Sequence, residues 1–91
     1  MMESFEWDEA KNEANQEKHG ISFEEAQKAF LDANRVIALD KTHSGHEKRF
    51  YCMGYVTGGV LTVRFTFRSG KIRIIGAGFW RKGKKVYEEK N

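Results

Sequence analysis

Arg64 and Arg68 stand four residues apart in VLTVRFTFR, a stretch that alternates apolar and polar side chains. In an extended strand that spacing puts both guanidinium groups on one face. Arg73 follows in KIRIIGAGF, and Tyr51 and Tyr55 precede in RFYCMGYV. Guanidinium groups pair phosphates in a bidentate way, and tyrosine rings offer planes for stacking bases. Such a set could hold a polyanion and stabilise charge on phosphoryl oxygens. The bland alternative is a solvated sheet face. Solvated faces usually mix signs, whereas this one is expected to lack acids, and that favours anion binding.

A second concentration lies in GAGFWRKGKKVYEEKN, where Phe79-Trp80 abuts Arg81, Lys82, Lys84 and Lys85. One aromatic is expected to anchor the segment on the sheet. The cations would then face a polyanion such as nucleic acid, or an acidic protein, extending the surface of Lys71, Arg73, Tyr51, Tyr55, Trp80 and Lys82. Gly76-Ala77-Gly78 is no dinucleotide fingerprint; it marks a strand end where large side chains are excluded or another backbone comes close. His19, beside Lys18, suits a helix C-terminal cap. His43 and His46 flank Ser44-Gly45 in a polar loop, and a metal there would need Asp40 or Glu47 as further ligands. No metal or cofactor is expected. No Walker loop, Gly-x-Ser-x-Gly elbow or Cys/His nucleophile pair is present.

Positioning these groups requires a sheet. Phe5-Glu6-Trp7 reads as an edge strand. Asp8 can cap a helix through EAKNEANQEKH that stops at Gly20, with Ala10, Ala14 and the stem of Lys18 on one face. Ser22 and Glu25 form a capping box for a second helix, whose apolar stripe is Phe23, Ala26, Ala29 and Phe30. RVIALD, RFYCMGYV, VLTVRFTFR and KIRIIGAGF follow as strands, and Trp80 to Lys90 as a short helix. With Gly58-Gly59 as a hairpin turn, Phe67 faces Phe50, Phe65 faces Cys52 and Leu61 faces Val56. With Ser69-Gly70 as the next turn, Phe67 and Phe65 meet Ile72 and Ile74. The other face then carries Tyr51, Met53, Tyr55, Thr62, Arg64, Thr66, Arg68, Lys71 and Arg73. The element order implies a mainly antiparallel α+β fold with the helices packed on one face.

Ninety-one residues suit one domain, residues 1–91, burying about 60–65% of its unfolded surface. Cys52 is the sole cysteine, so no internal disulfide is possible, which fits a reducing cytoplasm. No apolar run reaches the roughly 20 residues of a membrane span, and no signal-peptide core opens the chain. The net charge is +3, with the acids mostly before Asp40 and the bases mostly after Lys48. That asymmetry suits a polyanionic partner, though a solubilising surface would look similar.

FEWDEAKNEANQEKHGISFEEAQKAF, Phe5 to Phe30, closely resembles the opening of the BrnT family, small ribonuclease toxins of bacterial type II toxin–antitoxin systems. HSGHEKRFYCMGY resembles the family's middle segment, and IRIIGAGFWRKGKKVYEE its last strand and C-terminal helix. The likeness covers nearly the whole chain and is most specific from Lys18 to Ala26. It implies a RelE-like α+β fold of four to five strands, with two N-terminal helices on one face and a short C-terminal helix. It also implies metal-independent RNA cleavage that halts translation, and a BrnA-type antitoxin that represses the shared promoter together with the toxin. DNA would be met only through that complex.

By position, Arg68 matches a functionally important family arginine, Arg73 opens the final strand, and Tyr87-Glu88 matches the family's closing Tyr-Glu. Many members read Ser-Ala-Arg where this chain has Gly76-Ala77-Gly78, so Arg81 or Lys82 is expected to supply the missing cation. The resemblance thus assigns phosphate stabilisation to Arg68 and Arg64 with Arg81 assisting. Lys18, His19 and Tyr87 are candidates for proton transfer. The alternative is a non-catalytic module binding RNA or antitoxin through the same face. A lone DNA-binding repressor fits less well, because the helix after Ser22 carries more acid than base.

Overall fold

A computed structural model describes residues 4–43 and 45–91. Its elements are β1 (Phe5–Trp7), α1 (Glu9–His19), α2 (Phe23–Ala26) continued by a 3₁₀ turn (Gln27–Leu31), β2 (Val36–Asp40), β3 (Arg49–Val56), β4 (Gly59–Arg68), β5 (Lys71–Gly78) and α3 (Arg81–Lys90). The strands form one sheet in the order β1-β5-β4-β3-β2. Four of the strands run antiparallel to their neighbours, but β1 joins β5 in parallel, so the sheet is mixed. A crossover through α1 and α2 separates β1 from the rest, and it leaves β1 free to run in that direction.

The local signals act as expected. Asp8 accepts from the N–H groups of Ala10 and Lys11, and Gly20 closes α1 in the left-handed conformation. Ser22 Oγ accepts from Glu25 N at 3.1 Å. Phe23, Ala26 and Ala29 are buried against Cys52, Leu61, Val63, Phe65, Ile72 and Ile74. Phe30 and Phe50 meet the Phe65 ring edge-on and stacked, at 5.1 and 5.5 Å.

Three sequence expectations are corrected. First, α1 buries Asn12 and Asn15, while Ala10 and Ala14 face solvent. The reason is hydrogen bonding rather than apolar packing. β1 pairs with β5 only from Ile72 to Ile74, so Ala77 has no strand on its β1 side. The Asn15 amide takes that place, donating to Ala77 O at 2.9 Å and accepting from Ala77 N at 3.1 Å. It also donates to Ile21 O at 3.0 Å. Asn12 Oδ1 accepts from Phe23 N at 2.8 Å, tying α1 to α2.

Second, the β3–β4 register lies two residues from the expected one. Phe50 faces Phe65, Cys52 faces Val63 and Val56 faces Gly59, which leaves Thr57-Gly58 as the turn. An even displacement keeps every side chain on its intended face. It also sets Gly54 opposite Leu61, where the Ala29 backbone presses on the sheet and a Cβ would come within 2.2 Å of Ala29 O. The β4–β5 pairing matches expectation at Phe67–Ile72 and Phe65–Ile74, and a bulge then lets Ala77 join Val63 on the core face.

Third, α3 lies across the outward face, not with the other helices. Gly83 sits directly over Thr62 and Met53, an outward-facing cross-strand pair. A Cβ at Gly83 would reach Thr62 Oγ1, so only glycine lets the helix approach this closely. The cationic face is therefore partly roofed. Among the described residues no helix is long and apolar enough to cross a membrane.

Candidate functional site

The roof makes a cavity. It has a volume of about 530 Å³, a floor of Tyr51, Met53, Thr62 and Arg64, and a wall of Trp80, Lys82, Gly83 and Val86 from α3 and its approach. The end of β2 closes one side with Asp40, Lys41 and Thr42. Tyr51 and Arg64 are direct partners across β3 and β4. The Arg64 side chain is partly buried, and its Nε finds no hydrogen-bond partner among the described residues. That nitrogen is covered on the Gly76 side, so the Arg64 side chain meets a ligand in the cavity through the rest of its guanidinium group.

Asp40 organises the side of the cavity. It is 3% exposed and accepts from Thr42 N, His43 N and His43 Nδ1 at 3.1, 3.3 and 3.0 Å. Tyr51 lines the same cavity beside it. Burial pushes the Asp40 carboxyl up, but the His43 side-chain and backbone hydrogen bonds outweigh this and hold it below the ordinary carboxylate range. Burial, with the nearby Asp40 charge, raises the Tyr51 phenol against the pull of Arg64. Tyr51 is therefore a neutral phenol at physiological pH.

Trp80 is the hinge of the wall. Its indole lies over Gly78, where a Cβ would come within 2.7 Å of the ring, and it meets the His19 ring edge-on at 5.2 Å. The space of a side chain at position 78 is thus taken by Trp80. Phe79 packs instead over the β3–β4 turn, near Gly58 and Gly59. α3 starts without a capping side chain, and its first turn holds no acid.

The structure separates the other sequence-predicted residues. Arg68 lines a second cavity of about 690 Å³ with Thr42, His43, Gly45, His46, Glu47 and Arg49; Ser44 of that loop lies outside the described residues. Arg68 pairs with Glu47 at 3.1 Å, and Lys71 is its cross-strand neighbour. Arg73 pairs with Glu6 on β1 at 3.1 Å. The expected acid-free face is therefore corrected: Glu6, Asp40 and Glu47 reach it from edge strands and a loop, outside the three strands that defined it. Tyr87 donates its hydroxyl to Asp32, which also accepts from Tyr55 N at 2.7 Å. This contact latches α3 to the segment before β2. Tyr55, Lys18 and Arg81 are exposed. Of the twelve residues nominated, Arg64, Tyr51, Trp80 and Lys82 meet in the first cavity, and His19 backs Trp80.

Asp40 was named beside His43 only as a possible metal ligand, and their direct hydrogen bond was not anticipated. The available signal was an aspartate ending a strand before a turn, in a position to accept from the backbone two and three residues on. Among the described residues no three His, Cys, Asp or Glu side chains converge as a metal site requires.

Residues 7–83 match the model of a family described as the ribonuclease toxin, BrnT, of type II toxin–antitoxin systems. The chain belongs to the BrnT family. BrnT membership implies an antitoxin partner and an RNA substrate. No individual curated protein matches the chain. The BrnT match spans the cavity floor and the start of its wall, and it stops before Tyr87.

Proposed function

We propose that RNA binds in the cavity beneath α3 and is cut there without a metal. Arg64 would grip the scissile phosphate and Lys82 would assist. The observation that carries this reading is the Arg64 side chain on the cavity floor, facing a wall that holds Lys82 and Trp80. The start of α3 adds support. Cations in the first turn of a helix are disfavoured by its dipole, yet Arg81, Lys82 and Lys84 all lie there, which an anionic ligand would explain. Arg68 remains a second cation for the RNA. Its pair with Glu47 is about half exposed on the arginine side, so a phosphate could replace the carboxylate at little cost.

In this reaction the 2′-oxygen attacks the adjacent phosphorus and the bond to the 5′-oxygen breaks. The 2′-hydroxyl proton passes to a base, and the 5′-oxygen gains a proton. The products are a 2′,3′-cyclic phosphate and a 5′-hydroxyl end. Arg64 and Lys82 oppose the charge that builds on the phosphoryl oxygens. Of the proton-transfer candidates, His19 touches Trp80 of the wall, Lys18 faces solvent and Tyr87 is committed to Asp32.

This reading extends to inhibition of translation in the cytoplasm, a RelE-like fold for the single domain, a BrnA-type antitoxin, and DNA contact only through that complex. A second reading, a module that binds RNA without cutting, draws on Gly78, where the family's arginine is missing and Trp80 fills the space.

The test is incubation of the purified chain with single-stranded RNA, with and without EDTA, followed by end analysis. New 5′-hydroxyl ends in EDTA are expected. Arg64→Ala should slow their appearance by about 10²–10³-fold, and Arg68→Ala by less. Cleavage indifferent to Arg64→Ala would overturn the assignment. Retained RNA binding with no new ends would select the second reading.

A further inference from the structure

We propose that His43 is the base that takes the 2′-hydroxyl proton during RNA cleavage, and that Asp40 is the residue that positions it. The inference rests on the RNA-cleaving reading and deepens it, by filling the proton-transfer role that His19, Lys18 and Tyr87 leave open.

Asp40 ends β2 almost wholly buried. Its Oδ1 accepts from Thr42 N at 3.1 Å and from His43 N at 3.3 Å. These bonds leave Oδ2 for the His43 ring, whose Nδ1 lies 3.0 Å away. An ionised carboxylate can only accept, so Nδ1 carries a proton and donates it. In the neutral ring Nε2 then keeps its lone pair. A carboxylate that fixes the tautomer and aim of an imidazole in this way prepares it to act as a base. The ring itself is open to a ligand, since its side chain is about half exposed and lines the second cavity.

The sheet register sets this pair between the two cations that the RNA would meet. Arg64 faces Tyr51, and two residues on, Thr66 faces Arg49. Asp40 faces Arg49 from the other side, so it belongs to the Thr66 row, and Arg68 lies two residues further along β4. At about 3.4 Å per residue, Arg64 and Arg68 stand roughly 13–14 Å apart along the strand, with the Asp40 row midway. Asp40 lines the first cavity with Arg64 and Lys82, His43 lines the second with Arg68, and Thr42 lines both. RNA gripped by Arg64 at one end and Arg68 at the other therefore crosses the shared rim where His43 stands. As the 2′-oxygen bonds to phosphorus, its proton passes to His43 Nε2. The bond from phosphorus to the 5′-oxygen breaks, and that oxygen takes a proton from water. His43 then returns its own proton to solvent.

The test is single-turnover cleavage of a short single-stranded RNA by the full chain, as a function of pH. Cleavage should slow toward acid pH, where imidazoles protonate and cease to be bases. The charged and titratable groups around the ring are Asp40 from β2, His46 and Glu47 from the loop, Arg49 from β3 and Arg68 from β4. His46 is a second imidazole among them, so the variants decide between the two. His43→Ala should lower the rate by about 10²–10⁴-fold, abolish the acid limb and leave RNA affinity unchanged. Added imidazole should restore part of the rate. Asp40→Asn can turn an N–H toward Nδ1 and reverse the tautomer, so it should slow cleavage with affinity kept; a rate equal to that of the unaltered chain would remove Asp40 from the role. A substrate with sulfur in place of the bridging 5′-oxygen needs no altered protein. Its leaving group requires no proton, so the acid limb should persist, and loss of that limb would make the group an acid and overturn the inference. A His43→Ala chain that cuts at nearly the full rate, keeps the acid limb, or loses affinity instead of rate would also overturn it, while cleavage that still depends on Arg64 leaves the wider reading standing. RNA left uncut by the unaltered chain at every pH would overturn both.

Discussion

Replacing Asn15 by leucine tests whether one side-chain amide stands in for a missing strand. Leucine keeps the branch point of the amide side chain but is bulkier, so any overpacking adds to the loss. Three hydrogen bonds disappear: to Ile21 O, to Ala77 O and from Ala77 N. At about 0.5–1.5 kcal/mol net for each bond, the loss is about 2–4 kcal/mol. That is a large share of the roughly 5–15 kcal/mol available to a domain. For a chain of this size each kcal/mol lowers Tm by about 4–8 °C, so a fall of about 10–25 °C is expected in thermal unfolding. Hydrogen exchange gives the local check. The Ala77 amide should exchange much faster in the variant, while Val63, its neighbour on β4, changes only with global stability. Asn15→Asp should be no milder, because although it still accepts from Ala77 N, a buried carboxylate then faces the Ile21 and Ala77 carbonyl oxygens. A Tm fall under about 5 °C for the leucine variant, or an Ala77 amide that stays protected, would refute the reasoning.

Gly83→Ala should cost about 1–3 kcal/mol, read by urea unfolding, because its Cβ reaches Thr62 Oγ1 and α3 must lift. The Tyr87–Asp32 latch should make stability fall at both ends of the pH range. The Asp32 carboxyl is held down, chiefly by Tyr87, so its contribution is complete above a pKa of about 3.9 and lost as pH falls through the lower folded value. The Tyr87 phenol is raised, chiefly by Asp32, so its contribution is complete below about pH 10 and lost as pH climbs through the higher folded value. Tyr87→Phe should flatten both limbs, and unchanged limbs would exclude the latch. Cys52, buried and pushed up to about 12, should resist thiol reagents at pH 8 until the chain unfolds; rapid labelling of the folded chain would contradict that burial.

Strand alternation was legible because its period is short and one face must be covered. It placed Tyr51, Arg64 and Arg68 on one side, as the register shows. The caps at Asp8, Ser22 and Gly20 were legible because each satisfies backbone groups within its own turn. The turn at Thr57-Gly58 was not. Two adjacent glycines allow two hairpins, and the choice falls to the distant Ala29 backbone. Asn12 and Asn15 were invisible for a similar reason, since a buried amide has no apolar signature and its partners lie up to 62 positions away. The site was half legible. Arg64, Tyr51, Trp80 and Lys82 could be named from their types, but their separation from Arg68 depends on where α3 docks. That docking is set by Gly83, one missing side chain in a run of cations.

The docking of α3 has a bearing on synthesis. The floor comes from β3 and β4, the side from the end of β2, and the wall from residues made after all of them. During translation the sheet can pair before its cover exists, and a nascent chain halted at Gly78 would display Arg64 on an open surface. Enclosure of that arginine therefore waits until α3 has been made and has folded back across the sheet.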